Sequence, residues 1–308
     1  MHQDKPILGV ALMLGFCVMA PVGDAVAKLL GESVPLAQVV MIRFAVQAVV
    51  LVPFVWGSQR VWRMRSRVWL LTVLRTVLHM AGIAAMFTAL KYLPLADAVA
   101  IAFVMPFFML MLGKYILHEE VGPRRLSACI VGFLGTLLVV QPSFATVGWP
   151  ALLPVAVAVI FSLFMLVTRQ IAKETDPIGL QAVSGVLAVL IVVPLLAAGP
   201  ATHLAPLQII RPDSFDWTLL LGIGLLGTAA HLLMTWSLRY APAATLAPMQ
   251  YLEIPFATLL GLVIFGELPN PLAGVGIVII MGAGLYVVLR ERASARDLAA
   301  ATAPSAAP

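Results

Sequence analysis

Ala89-Leu90-Lys91-Tyr92-Leu93-Pro94 and Ser237-Leu238-Arg239-Tyr240-Ala241-Pro242 are two versions of one phrase. Each is followed by an apolar run, an acidic residue, a polar turn and a further apolar run. Six residue pairs keep a single offset of 148: Leu90 with Leu238, Lys91 with Arg239, Tyr92 with Tyr240, Pro94 with Pro242, Gly113 with Gly261 and Glu119 with Glu267. A duplicated half inside an apolar chain is the sequence mark of a membrane carrier built from repeats. A weaker match at an offset of 145 extends the duplication to the first helix of each half, pairing Phe16, Ala27 and Lys28 with Phe161, Ala172 and Lys173.

Composition agrees with a chain whose solvent is mostly lipid. Of 308 residues, 62% are hydrophobic and 11% charged, against about 25% charged in a soluble domain. Such a chain cannot cover a water-facing surface, so a lipid bilayer is its expected surrounding. The two cysteines, Cys17 and Cys129, both sit inside apolar runs without ligand-like neighbours, and are read as packed side chains rather than a disulfide or metal pair. Lys5, the apolar stretch after it and Ala25-Val26-Ala27 resemble a cleavable leader. The length of that stretch, the interruption by Asp24 and the fit to the repeat favour a retained first helix.

A helix needs about 20 mostly apolar residues to span a bilayer. Ten such runs are laid down: 7–30, 36–56, 69–90, 95–117, 124–141, 149–169, 178–198, 215–238, 243–265 and 270–289. No segment alternates with period two, so strands are not expected. The predicted fold class is all-α integral membrane, ten transmembrane helices as two inverted five-helix repeats. The predicted organisation is a cytoplasmic N-terminus at 1–6, a first repeat at 7–141, a linker at 142–148, a second repeat at 149–290 and an Ala/Ser/Pro-rich, disordered cytoplasmic tail at 291–308. With the N-terminus inside, 14 of the 19 Lys and Arg residues fall on the cytoplasmic side, among them Arg60, Arg63, Arg65, Arg67, Arg124 and Arg125. The positive-inside rule therefore places both termini in the cytoplasm. It also explains the net charge of +5 without a nucleic-acid partner. Five helices per half is an odd number, so the second half enters the membrane upside down. In such folds the substrate site lies near the midplane, at the interface between repeats.

These residues resemble the drug/metabolite transporter superfamily, specifically its ten-helix EamA-type members. The likeness spans residues 7–290 and rests on the paired Leu-Lys/Arg-Tyr-X-Pro phrases, Arg43-Phe44 in the second helix, the glutamates closing helices four and nine, and the Gly-rich helices five and ten. The resemblance implies that helices three, four, eight and nine line a central cavity, with helices five and ten behind it or at a homodimer face. Arg75, Pro94-Leu95-Ala96-Asp97-Ala98 and Ala247-Pro248-Met249-Gln250-Tyr251 look like the branch of riboflavin and S-adenosylmethionine transporters. Metabolite and metallophore exporters look similar too.

An ionisable side chain at the centre of a membrane helix costs about 2.5–3.5 kcal/mol on insertion scales, so it stays only where it faces a cavity or a partner. Glu253 is the sharpest candidate. It shares a helix face with Gln250, follows Tyr251 and precedes Pro255, which deprives the carbonyl of Tyr251 of its usual donor. That arrangement suits binding of a substrate cation or a coupling proton; the plainer alternative is a buried ion pair with Arg43 or Arg75. Arg75 and His79, four apart on helix three, suit a carboxylate or phosphate of a substrate. The alternatives are snorkelling for Arg75 and a helix–helix hydrogen bond for His79. His231 shares a face of helix eight with Thr235, beside Trp236. Arg43 is expected to serve as an ion pair or gate. Asp97 is expected to be a first-turn carboxylate favoured by the helix dipole, and Asp24 a partner of Lys28. Tyr251, Phe103, Phe107 and Trp236 offer rings for stacking, against plain packing. Trp56, Trp62, Trp69, Trp149 and Trp217 read as an interface belt. The glycines of helices five and ten (Gly132, Gly135, Gly274, Gly276, Gly282, Gly284) allow close helix contact.

No phosphate loop of the Gly-X4-Gly-Lys-Ser/Thr kind occurs, so ATP drive within the chain is not expected. Neither a metal site nor a cofactor is expected, and the scattered intramembrane charges suit a pathway better than the clustered centre of a membrane enzyme. The expected function is secondary transport of a small-molecule substrate, a vitamin such as riboflavin or an S-adenosylmethionine-like solute, across a bacterial inner membrane. Glu253 and Arg75 are its expected charge pair and protons a compatible driving ion. Export of amino acids, metallophores or related metabolites is the alternative, and a membrane enzyme or channel the more distant one.

Overall fold

The computed structural model describes residues 6–58, 64–116, 122–202, 204–242 and 246–302, and among these every regular element is helical. The elements are α1 (Pro6–Leu30), α2 (Leu36–Gly57), α3 (Ser66–Ala89), α4 (Leu95–Ala102), α5 (Met105–Ile116), α6 (Pro123–Val147), α7 (Leu153–Ile171), α8 (Pro177–Thr202), α9 (Ser214–Tyr240), α10 (Glu253–Phe265) and α11 (Pro271–Thr302). Eight spans are long and apolar enough to cross a membrane, one of them made of α4 and α5 together. Two shorter apolar helices, Met249–Phe265 and Pro271–Tyr286, complete ten. Apolar side chains point outward along the bundle, as at Val49, Leu70, Leu225, Val263 and Val278. Trp56, Trp69, Trp149 and Trp217 are exposed near helix ends, as an interface belt requires; Trp62 lies outside the described residues.

The helices pack across the duplication rather than within each half. Span one lies along α9, and its repeat counterpart α7 lies along α3. Spans two and seven (α2 and α8) pack on each other, as do spans five and ten (α6 and α11). Each of these pairs maps onto another pair, or onto itself, when the halves are exchanged. That is what an approximate two-fold axis lying between inverted repeats demands. In lipid there is little hydrophobic drive between helices, so close packing and polar contacts hold them together. At Gly135 and Gly276 the backbones of α6 and α11 approach so closely that a Cβ on Gly276 would lie 2.5 Å from the Gly135 carbonyl oxygen. Gly274 and Gly282 face open space instead.

Spans four and nine are broken at equivalent places. The chain leaves helical geometry at Phe103–Val104 and resumes as α5 at Met105. In the other half a 3-10 turn, Ala247–Leu252, gives way to α10 at Glu253. With the offset of 148, Phe103 answers to Tyr251 and Met105 to Glu253. Pro106 and Pro255 fall in the first turn of the resumed helices, where a missing N–H costs nothing. Two carbonyls at the breaks find side-chain donors from the opposite half. Ser162 Oγ shares its proton between the Ala158 carbonyl of its own helix (2.6 Å) and the Met105 carbonyl (3.2 Å), and Cys17 Sγ donates to the Met249 carbonyl (3.5 Å). Cys17 and Ser162 are themselves equivalent, 145 residues apart. Both cysteines are free and buried.

Two boundaries differ from the sequence expectation. The predicted linker at 142–148 is helical as far as Val147, because α6 runs through Pro142 and ends only at Gly148, whose φ of +72° reverses the chain. Hydroxyls of Ser143 and Thr146 donate to the carbonyls of Val139 and Pro142 around the interruption. The predicted disordered tail is helical to Thr302. Its stretch to Thr302 is rich in alanine, the best helix former, and the next proline comes only at Pro304.

Candidate functional site

A cavity of about 110 Å³ lies between the two halves. Its wall takes Phe16 to Asp24 from α1, Arg43 from α2, Ile83 to Phe87 from α3, Val99 to Met105 from span four, Val157 to Phe161 from α7 and Ile223 to His231 from α9. Gln250 and Glu253 come from span nine. Helix register places it in the half of the bundle toward Lys28. Arg75 and His79 lie one to two turns beyond Ile83, toward the Arg239 end.

Four polar groups on this wall are buried with an atom that has no partner: Arg43 Nη1, His231 Nε2, Gln250 Oε1 and Glu253 Oε1. Gln250 is 1% and Glu253 9% exposed. Asp24 also lines the cavity and interacts electrostatically with Arg43 without closing a salt bridge to it. The rest of the wall is apolar and aromatic, with Phe16 and its repeat counterpart Phe161, Phe87 and Phe103, and the methionines Met19, Met86 and Met105. Such a wall, with few converging polar groups, is the usual make-up of a small-molecule site. Unsatisfied buried polar atoms are rare in finished interiors, so four on one wall mark a place that a solute or water completes.

Arg43 lies across α9. Its Nη2 is 3.2 Å from His231 Nδ1, and that same nitrogen is 2.9 Å from the Gly227 carbonyl oxygen. A ring nitrogen 2.9 Å from a carbonyl donates to it, so its contact with Arg43 Nη2, itself a donor, is not a hydrogen bond, and Nε2 of the neutral ring is left as the acceptor. His231 also meets His79, with centroids 4.2 Å apart.

Several expected residues stand elsewhere. Arg75 is not on the cavity wall and forms no charge pair with Glu253. It is fully buried and held by neutral hydroxyls of the second half: Nε donates to Thr168 Oγ1 (2.9 Å), Nη1 to Ser184 Oγ (2.9 Å) and Nη2 to Thr235 Oγ1 (3.4 Å), with the guanidinium over the Phe164 ring. Gln181 and Gln47 extend this polar layer, Gln181 Nε2 reaching Thr235 Oγ1 and Gln47 Nε2 the Gln181 carbonyl. His79 is buried in the same layer, stacked on Phe164, with neither ring nitrogen partnered. Tyr251 turns away from the cavity, and its ring fits against Gly284 and Gly132 of spans ten and five. Trp236 is half-buried and off the wall, and Phe107 packs against Phe133. Asp97, buried near the start of α4, lies 3.2 Å from Ser143 Oγ, whose proton it shares with the Val139 carbonyl. Lys28 does not pair with Asp24. It bonds Glu267 at 2.6 Å and the Leu93 carbonyl at 2.9 Å, while Glu267 also accepts the Leu95 N–H at 3.1 Å. Glu119, the counterpart of Glu267, lies outside the described residues. Sequence reasoning missed Phe16, Phe87, Phe161 and Gly227. The 145-residue match of Phe16 with Phe161 was the available signal for two of them.

A bundle of inverted repeats around a mostly apolar cavity with a few converging polar groups defines a membrane carrier. The chain belongs to the EamA-like transporter family, whose model matches residues 7–141 and again 148–290, once per half. Family membership makes it an integral membrane transporter of small metabolites, not an enzyme. It is 30% identical to a riboflavin transporter of Rhizobium johnstonii over 70% of this chain and 69% of that one. A riboflavin transporter of Brucella anthropi is 28% identical, over 73% and 78%. An S-adenosylmethionine uptake transporter of Rickettsia prowazekii is 25% identical over 93% of this chain and 94% of its own. A solved crystal structure shares the fold at a TM-score of 0.66 and 18% identity, covering 93% of this chain and 97% of that one.

Proposed function

We propose that this protein is a secondary transporter carrying a small polar organic metabolite across a bacterial inner membrane by alternating access, both termini in the cytoplasm. Riboflavin is the first solute to test and S-adenosylmethionine the second. The observation that carries the reading is the cavity at the repeat interface with its four unpartnered polar atoms among aromatic rings. The rings suit the flat face of a nitrogen heterocycle. Arg43 Nη1 offers a donor, and Gln250, Glu253 and His231 offer acceptors, to polar groups on its edge. Both named solutes carry such a heterocycle. Glu253 and Asp24 supply carboxylates on the wall for a coupling proton. In this orientation the Lys28 end faces outward, so the cavity lies in the outer half and the Arg75 layer closes the cytoplasmic side.

Uptake of labelled riboflavin and of labelled S-adenosylmethionine into proteoliposomes, with and without an inward proton gradient, tests this. Saturable uptake of one, accelerated by the gradient, is the expected result. Absence of uptake of both, from protein shown to be folded, contradicts the substrate assignment.

A further inference from the structure

We propose that Gly227 is a positioning residue of the solute site, giving the Arg43 guanidinium its seat. The inference rests on the transport reading above. A Cβ on Gly227 would lie 2.7 Å from Arg43 Nε, 2.8 Å from Nη2 and 2.9 Å from Cζ, closer than real Cβ atoms come to anything. The guanidinium therefore rests on the bare backbone of α9, at one turn's remove from His231. The Asp24 carboxylate on the same wall interacts with it electrostatically without closing a salt bridge, and among its polar atoms Nη1 has no partner. A buried charge seated on bare backbone without a close salt bridge depends on the fit of that seat. The same turn of α9 fixes His231 through the Gly227 carbonyl, a bond that any residue at 227 retains. Gly227→Ala thus separates the two: it moves Arg43 and leaves the imidazole bonded. Nearby glycines do other work, since Gly224 makes room for Val46 and Gly222 faces open space.

The test is a double-mutant cycle of Gly227→Ala and Arg43→Ala, with Gly222→Ala as the control, read in two ways. Melting of the purified proteins in detergent reports the contact and needs no substrate. An alanine at 43 ends at Cβ and leaves nothing to meet the added methyl, so Gly227→Ala should lower the melting temperature in the parent and change it little in the Arg43→Ala background. Additive shifts overturn the proposal. Uptake of labelled riboflavin reports the role: Gly227→Ala should raise KM about tenfold with the maximal rate within about twofold, and add nothing to the defect of Arg43→Ala. A lowered maximal rate at unchanged KM overturns it. If Gly227→Ala fails to assemble, the double variant should assemble, and its failure counts against the seat. A parent protein that takes up neither test solute tells against the proposed substrate, while the melting cycle still decides the contact.

Discussion

Phe103 and Tyr251 stand at equivalent positions of the two halves, 148 residues apart, and their rings meet with centroids 5.5 Å apart. Residues related by a two-fold axis touch each other only beside it, so this contact marks where the axis passes. The backbone leaves regular α-helix at both residues, and the resumed helices start two residues later, at Met105 and Glu253. Glu253 therefore owes its place on the cavity wall to the break beside Tyr251.

The seat of Tyr251 should be sensitive to one methyl group. A Cβ on Gly284 would lie 2.5 Å from Tyr251 Cβ, whereas one on Gly282 meets nothing. Gly284→Ala should cost about 1–3 kcal/mol by overpacking, and Gly282→Ala nothing measurable. Thermal melting in detergent checks the pair; equal effects would contradict this packing.

The donors at the breaks should also be measurable. Ser162→Ala leaves the Met105 carbonyl without its side-chain donor and should cost about 1 kcal/mol. At the equivalent site, Cys17→Ser replaces a weak donor with a better one and should cost nothing. Denaturation midpoints of the two variants give the comparison.

At the Lys28 end, the ion pair with Glu267 ties span one to span nine and to the start of α4. Lys28→Met and Glu267→Gln should each lower the melting temperature, and the double variant should lose less than the sum, since each single change leaves one charge unpaired. Strict additivity would mean that the contact adds no stability.

Much of this was legible in the chain. The offset of 148 predicts the repeats, their inversion and ten spans, because duplication and hydropathy are properties of sequence alone. Glu253, Gln250 and His231 are legible as unusual polar residues in apolar helices, and all three reach the cavity. Arg75 and Tyr251 have the same sequence signature and do not. Their destinations depend on which way each helix faces, and that is set by partners in the other half: the hydroxyls of Thr168, Ser184 and Thr235 for Arg75, and Gly132 and Gly284 for Tyr251. The break in span four was overlooked because Pro106 sits in an otherwise unbroken apolar run. Gly227 escaped notice because a glycine's neighbour across a helix interface leaves no local trace.

The most direct measurement is riboflavin uptake by Glu253→Gln in proteoliposomes, alongside the parent protein and with folding checked by melting. If the cavity is the solute site, the variant melts like the parent and its initial uptake falls at least about tenfold, as expected for an intramembrane carboxylate retained for function. Parent-like uptake by the folded variant would contradict the placement of the site in this cavity.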